Sequence, residues 1–217
     1  MDPRERASRL ACVRRDAYRL LGSLFLTPPP GEASGLAALA DALRETLGEV
    51  APEVVSELTG DLTAREDAAE LTDDYRALLE VQTGRSLVPV ESVYAAATFD
   101  GTSWQLGRLR NEPWHRVRRR YVEGGFRVRD DVGVESDHIS CQLEFLAHLC
   151  EVEAGAWEAG RDELAMSVRS RAGRFLREHP ASWIRRLRQR AADLARTPLY
   201  RLAPLLVERF LAVESAH

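Results

Sequence analysis

The residues best equipped for chemistry stand in one stretch, Asp137-His138-Ile139-Ser140-Cys141-Gln142-Leu143-Glu144-Phe145-Leu146-Ala147-His148. A carboxylate beside an imidazole can serve proton transfer, metal binding or ligand recognition. Glu144 and His148 are four apart, so they share a helix face, with Glu151 a turn further. Metal sites use such spacings, but a stable site needs three or four ligands and no second helix supplies a matching set. No metal is therefore expected. Ser, His and Asp all occur, without a G-x-S-x-G elbow or another nucleophile context. There is no Walker A sequence and no G-x-G-x-x-G, so neither a standard nucleotide cradle nor a cofactor is expected. The same stretch also reads as an ordinary helix cap followed by an ordinary histidine.

The element that must position these groups is a helix over about 137–158. Ser136 or Asp137 is placed to cap it, because either side-chain oxygen can accept from a backbone N–H of the first turn. At 100° per residue, Ile139, Leu143, Leu146, Cys150 and Trp157 fall on one face and Asp137, Glu144, His148 and Glu151 on the other. His138 lies between the faces, near Gln142 and Phe145. Ahead of it, apolar periodicity and breakers predict helices over about 4–26, 36–47, 52–58, 63–81 and 111–121. The segment 87–94 turns at Pro89 and regains order after it. After it, helices are expected over 162–178, 183–194 and from Pro198, with Pro204 kinking or restarting the last. His179-Pro180-x-x-Trp183 reads as a packing corner with a buried Trp. No strand alternation, repeat or low-complexity run is evident. The fold class is all-α, a single domain of about nine to ten helices over 1–217. A polar connection near 124–136, with Gly124-Gly125 and Asp130-Asp131, forms a hinge between two helical halves.

Composition narrows the function classes. With 45% hydrophobic and 29% charged residues, the 217-residue chain is globular. The net charge of -4 argues against a nucleic-acid protein. All basic residues are Arg; the clusters Arg116-Arg118-Arg119-Arg120 and Arg185-Arg186-Arg188-Arg190 are expected to be solvated faces. Cys12, Cys141 and Cys150 form no C-x-x-C pair, so a reducing compartment is expected, with Cys141 and Cys150 as small apolar residues. The charged start, Met1-Asp2-Pro3-Arg4-Glu5-Arg6, has no apolar core behind it, so no secretory signal is expected. No run approaches a membrane span. A cytoplasmic binding protein fits these features better than an enzyme.

Several stretches in order carry a resemblance. Tyr75-x-x-Leu78-Leu79 with Gly84, Pro89-Val90-Glu91-Ser92-Val93-Tyr94, Val117 and Tyr121 with Gly124-Gly125, Asp137-His138-Ile139 with Leu143-Glu144-Phe145-Leu146, His179-x-x-x-Trp183, and the stretch Tyr200 to Ala203 resemble the motifs of the TorD/DmsD/NarJ family of redox-enzyme maturation chaperones. Val90 stands where some members carry an aromatic residue and Ser136 where many carry Pro. The resemblance implies a cytoplasmic, non-enzymatic all-α chaperone, a monomer or domain-swapped dimer. Its partner would be the catalytic subunit of a molybdenum oxidoreductase, bound through its twin-arginine leader or as the apo-protein until the molybdenum cofactor is inserted. The implied client site is Asp137 and His138 with Pro89, Glu91, Tyr94, Gln142 and Glu144. Asp137 would present a carboxylate oxygen to a leader guanidinium, Asp130, Asp131 and Glu135 would add charge, and Phe145 and Leu149 would line an apolar groove. Protonation of His138 near neutral pH would weaken binding of a cationic peptide. Glu91 would be a free carboxylate at a polar edge and Tyr94 a packed anchor. The rival readings are a helical metal-dependent hydrolase centred on Asp137, His138, Glu144 and His148, and a nucleic-acid-binding regulator using the Arg clusters.

Overall fold

A computed structural model describes residues 2–64, 67–81, 84–129 and 133–216. Helix α1 (Pro3–Ser23) begins with Pro3 at its first position and Asp2 accepting from the Arg4 amide at 3.4 Å. It is followed by α2 (Ala33–Leu47) and α3 (Pro52–Ala64), the latter longer than its apolar period predicts. The helix expected over 63–81 is instead α4 (Ala68–Tyr75), started by an Asp67 cap, running into a π-helical turn at Arg76–Glu80. The short α5 (Glu91–Tyr94) follows. Then comes a feature the sequence did not predict, an antiparallel pair of two-residue strands, β1 (Thr98–Phe99) and β2 (Trp104–Gln105). Strands this short show no alternation; their signal is the Asp100-Gly101 turn. Asp100 accepts from the amides of Thr102 and Ser103, both at 2.8 Å, and Gly101 takes a φ of 96°.

The second part of the chain is α6 (Glu112–Glu123), α7 (Ile139–Glu158), α8 (Asp162–Glu178), α9 (Pro180–Leu194) and α10 (Pro198–Ser215). Helix α10 does not restart at Pro204 but continues through it, with the ring buried. Gly124-Gly125 closes α6. Gly125 takes a φ of 72°, and the Phe126 amide reaches back to the Tyr121 carbonyl at 2.9 Å, a Schellman ending. Gly124 is fixed by a different constraint: a Cβ there would lie 2.5 Å from the Phe145 ring. Asp130 and Asp131 lie outside the described residues.

Helix α7 is apolar most of the way round. The expected polar face is narrow, because α1, α8 and α9 surround the helix. Helix α1 lies along it, held at the close approach by Ser140 Oγ donating to the Gly22 carbonyl at 2.7 Å. Helix α3 packs on α10. Helices before and after the 124–138 connection therefore share one apolar core, which runs from Ala17 to Leu211.

Candidate functional site

The segment before α5 folds back onto the start of α7. Val88 adopts a φ of 43°, rare for a β-branched residue, and the chain turns about Pro89 with the Val90 amide donating to the Val88 carbonyl at 2.8 Å. This strained turn is held by its docking. The Ile139 amide donates to the Pro89 carbonyl at 2.9 Å and the Glu91 amide to the Asp137 carbonyl at 3.0 Å, so Val90 and His138 pair as an isolated bridge. The two stretches that carry chemistry in the sequence are thus one backbone unit.

Side chains complete the junction. Asp137 Oδ2 accepts from the Ser92 amide at 2.7 Å. Its carboxylate therefore caps α5, not its own helix, where the sequence placed it. The cap of α7 is His138, whose Nδ1 accepts from the Ser140 amide at 3.2 Å. Glu91 faces His179 Nδ1 at 3.0 Å and accepts from Gln142 Nε2 at 2.8 Å. Gln142 Oε1 in turn accepts from Trp183 Nε1 at 3.3 Å. Tyr94 stacks on Trp183, ring centroids 5.7 Å apart, and donates its hydroxyl to the Leu87 carbonyl. The packing corner at Trp183 and the packed Tyr94 agree with expectation.

The exposure of these groups differs from expectation. Asp137, Tyr94 and Gln142 are 0% exposed, Glu91 1% and His138 5%, and Pro89 is buried. Glu91 is not a free carboxylate at a polar edge but the centre of a buried network. Phe145 and Leu149 belong to the core, so neither lines a groove. Among Pro89, Glu91, Tyr94, Asp137, His138, Gln142 and Glu144, only Glu144 reaches solvent, where it pairs with Arg19 at 3.3 Å. A lone helix projection cannot reveal this, because the groups that cover Asp137 and Gln142 come from 87–94 and from α9. The hydrolase constellation does not converge either. Glu144 and Glu151 are both held by Arg19, His148 Nε2 faces the Gly124 carbonyl at 3.2 Å, and His138 points into its own cap.

Burial also decides the titration of the pair. It pushes the Asp137 carboxyl up, against the hydrogen bonds from Ser92. It pushes the His138 imidazole from its usual 6.5 down to about 4, so the ring is neutral at physiological pH and its Nδ1 stays free to accept. The expectation that His138 tunes affinity near neutral pH is corrected accordingly. The consequence is for stability. Because the folded value lies below the unfolded one, the contribution of neutral His138 is fully present above pH 6.5 and is lost as pH falls through about 4. Its size is on the order of 3 kcal/mol. Urea unfolding between pH 7 and 4 is expected to show this loss in the wild type and a smaller one in His138→Asn, which keeps a capping oxygen without titrating; equal slopes would remove His138 from the account. Burial also pushes the Cys141 thiol up to about 12 and Cys150 up to about 11, so both are inert, as expected of small apolar residues.

Two buried acidic centres escaped the sequence reading. Glu153 on α7, 1% exposed, takes Arg14 of α1 at 2.7 Å and Arg169 of α8 at 3.5 Å. Its signal was position: three residues after Cys150, it projects towards the apolar face. Asp74, 2% exposed, holds α4 to the start of α10 and looked like one member of a solvated acidic run.

Two concavities open on either side of the segment 126–129. One, about 400 Å³, lies between α1 and the start of α7 and is bordered by Gly22, Leu26, Phe126, Val128, Cys141 and Glu144. The other, about 680 Å³, lies between α6 and the segments 126–129 and 133–136.

The fold is all-α, with the Pro89–Tyr94 segment docked on the Asp137-His138 helix start. The family described as "Nitrate reductase delta subunit" matches residues 30–189, and the chain belongs to that family. Among curated proteins it is similar to "Chaperone protein TorD" of Vibrio cholerae serotype O1, strain M66-2, with 27% identity over 148 residues. The same protein of strain ATCC 39541 matches to the same extent. Each alignment covers 68% of this chain and 62% of the relative, so the chain spans less than two thirds of the length of these relatives. They are named as chaperones, not as enzymes. Among the described residues, no helix is long and apolar enough to cross a membrane.

Proposed function

We propose that this protein is a cytoplasmic maturation chaperone for the catalytic subunit of a molybdopterin-containing oxidoreductase, binding its twin-arginine leader or apo form until the cofactor is inserted. The observation that carries this reading is the docking of Pro89–Tyr94 onto Asp137–Gln142 in a chain of this family. The roles of its residues differ from a direct contact site. Asp137, His138, Glu91, Gln142, Pro89 and Tyr94 position the start of α7 and the segment before α5. The client surface is the groove between α1 and α7, where Leu26, Phe126 and Val128 meet an apolar stretch and Glu144 stands at the rim for a guanidinium. The Arg19–Glu144 pair is exposed and therefore weak, so a client arginine can displace Arg19.

Deleting the gene tests the proposal. One molybdoenzyme of the host is expected to accumulate without molybdenum and without activity. Wild type on a plasmid restores both, and Glu144→Arg restores them poorly. A deletion strain whose molybdoenzymes are all fully loaded would overturn the reading.

A further inference from the structure

We propose that the cavity between α6, the end of α8 and the start of α9 binds a phosphate group able to carry a proton, either inorganic phosphate or a phosphate monoester. The site shares no described lining residue with the client groove and does not rest on the chaperone reading.

The cavity, about 380 Å³, is bordered by Arg116, Arg119, Arg120 and Glu123 of α6, by Glu178 of α8 and by His179. Arg120 is taken: it holds Glu123 at 3.1 Å and Glu178 at 2.9 Å. Arg116 and Arg119, one helical turn apart, have no side-chain partner among the described residues. Three arginines against two glutamates leave the described wall net positive, which attracts an anion without choosing one. His179 makes the choice. Its ring is 2% exposed, and Nδ1 faces Glu91 at 3.0 Å. An ionised carboxylate only accepts, so Nδ1 carries a proton. Nε2 has no partner among the described residues and is not sealed in, so it opens on the cavity that His179 borders. It meets a ligand either as a lone pair that accepts or, with a second proton, as an N–H that donates. His179 is also the N-cap of α9, which has no side-chain cap, so the positive end of that helix dipole adds to the attraction.

A phosphate monoester matches both parts of the wall. Its three free oxygens serve two guanidinium groups and the imidazole together. Its second pKa is about 6, so near neutral pH a proton is available to it, and a hydrogen bond forms with either state of the ring. A sulfate ester or a phosphodiester carries no proton there, so a nucleic-acid backbone lacks the donor that a lone pair on Nε2 requires. Glu91 stands behind the ring and Phe175 packs beside it, centroids 4.7 Å apart, so the charged groups in front are those of the described wall.

Calorimetric titration of the full chain at low salt tests this with inorganic phosphate, phenyl phosphate, phenyl sulfate and dimethyl phosphate. The first two are expected to bind at least about tenfold more tightly than the sulfate and the diester. The tighter of the two tells a free ion from an ester. The double variant Arg116→Gln/Arg119→Gln, at exposed positions of α6, should keep its melting temperature and lose about tenfold in affinity for phosphate. Glu144→Gln, in the client groove, should bind phosphate as the wild type does. In the long-range proton–nitrogen NMR spectrum of the imidazoles, phosphate should move the Nε2 signal of His179 in the wild type and not in the double variant. The signals of His138, closed in its helix cap, should stay in place. Sulfate or diester bound as tightly as phosphate, binding unaltered by the double variant, an unmoved His179 signal, or no binding at millimolar phosphate would each overturn the proposal.

Discussion

Glu91→Ala is expected to destabilise the protein by about 2–4 kcal/mol, the cost of leaving the buried partners of its carboxylate unsatisfied. The carboxylate is the acceptor on which several elements converge. His179 reaches it from the start of α9 at 3.0 Å, and Gln142 from α7 at 2.8 Å. Alanine leaves the His179 nitrogen and a Gln142 amide hydrogen without partners in a buried place, and opens a void there. Glu91→Gln has a different expected result. It keeps the volume and one carbonyl acceptor for Gln142, so its cost should be well below that of alanine. Urea unfolding of both variants, with His179→Ala and the double variant to complete a cycle, measures the coupling. A loss under about 1 kcal/mol for Glu91→Ala, or no coupling to His179, would show that the pair adds nothing to the fold.

Asp74→Ala is expected to cost about 3–5 kcal/mol, at the other end of α9. Oδ2 of Asp74 accepts from the Arg196 amide at 3.0 Å, the Thr197 amide at 2.9 Å and the Thr197 hydroxyl at 2.8 Å, while Oδ1 faces Arg85. Arg85 also donates to the Leu194 carbonyl at 2.9 Å, the last residue of α9. One carboxylate therefore holds the connection between α9 and α10 against α4. Asp74→Asn retains one acceptor oxygen but loses the charge opposite Arg85, and should fall between alanine and wild type. Thermal unfolding checks the order. If alanine and asparagine both melt with the wild type, the connection is held by packing alone.

These two residues mark where the sequence stops being informative. Helix positions followed from apolar period, capping residues and prolines, because those signals are local. The stacked Tyr94 and Trp183 were legible for the same reason that most large aromatics are: burial is their default. The environment of a carboxylate is not local. Glu91 has a partner 88 residues away in His179, and Asp74 one 123 residues away in Thr197. Nothing in the spacing of either acid within its own helix distinguishes it from a solvated neighbour such as Asp73. Position alone allows Ser136 or Asp137 to cap the helix that follows. The structure gives that role to His138 and turns Asp137 towards a helix 45 residues earlier. The family motif pointed to two stretches that dock on each other, Pro89–Tyr94 and Asp137–Gln142, but a motif does not say whether its residues touch a ligand or each other.

The laying of α1 along α7 has a consequence for how the chain is made. On a ribosome, α1 emerges well before α7, its packing partner, which begins only at Ile139. At roughly 5–20 residues per second, the apolar face bearing Tyr18 and Leu21 waits on the order of ten seconds before α7 is available to cover it. Long-range closure of this kind also slows folding after release. A protein proposed to shield an unfinished enzyme thus passes through synthesis with α1 unshielded, and fragments that stop before α7 are expected to be insoluble.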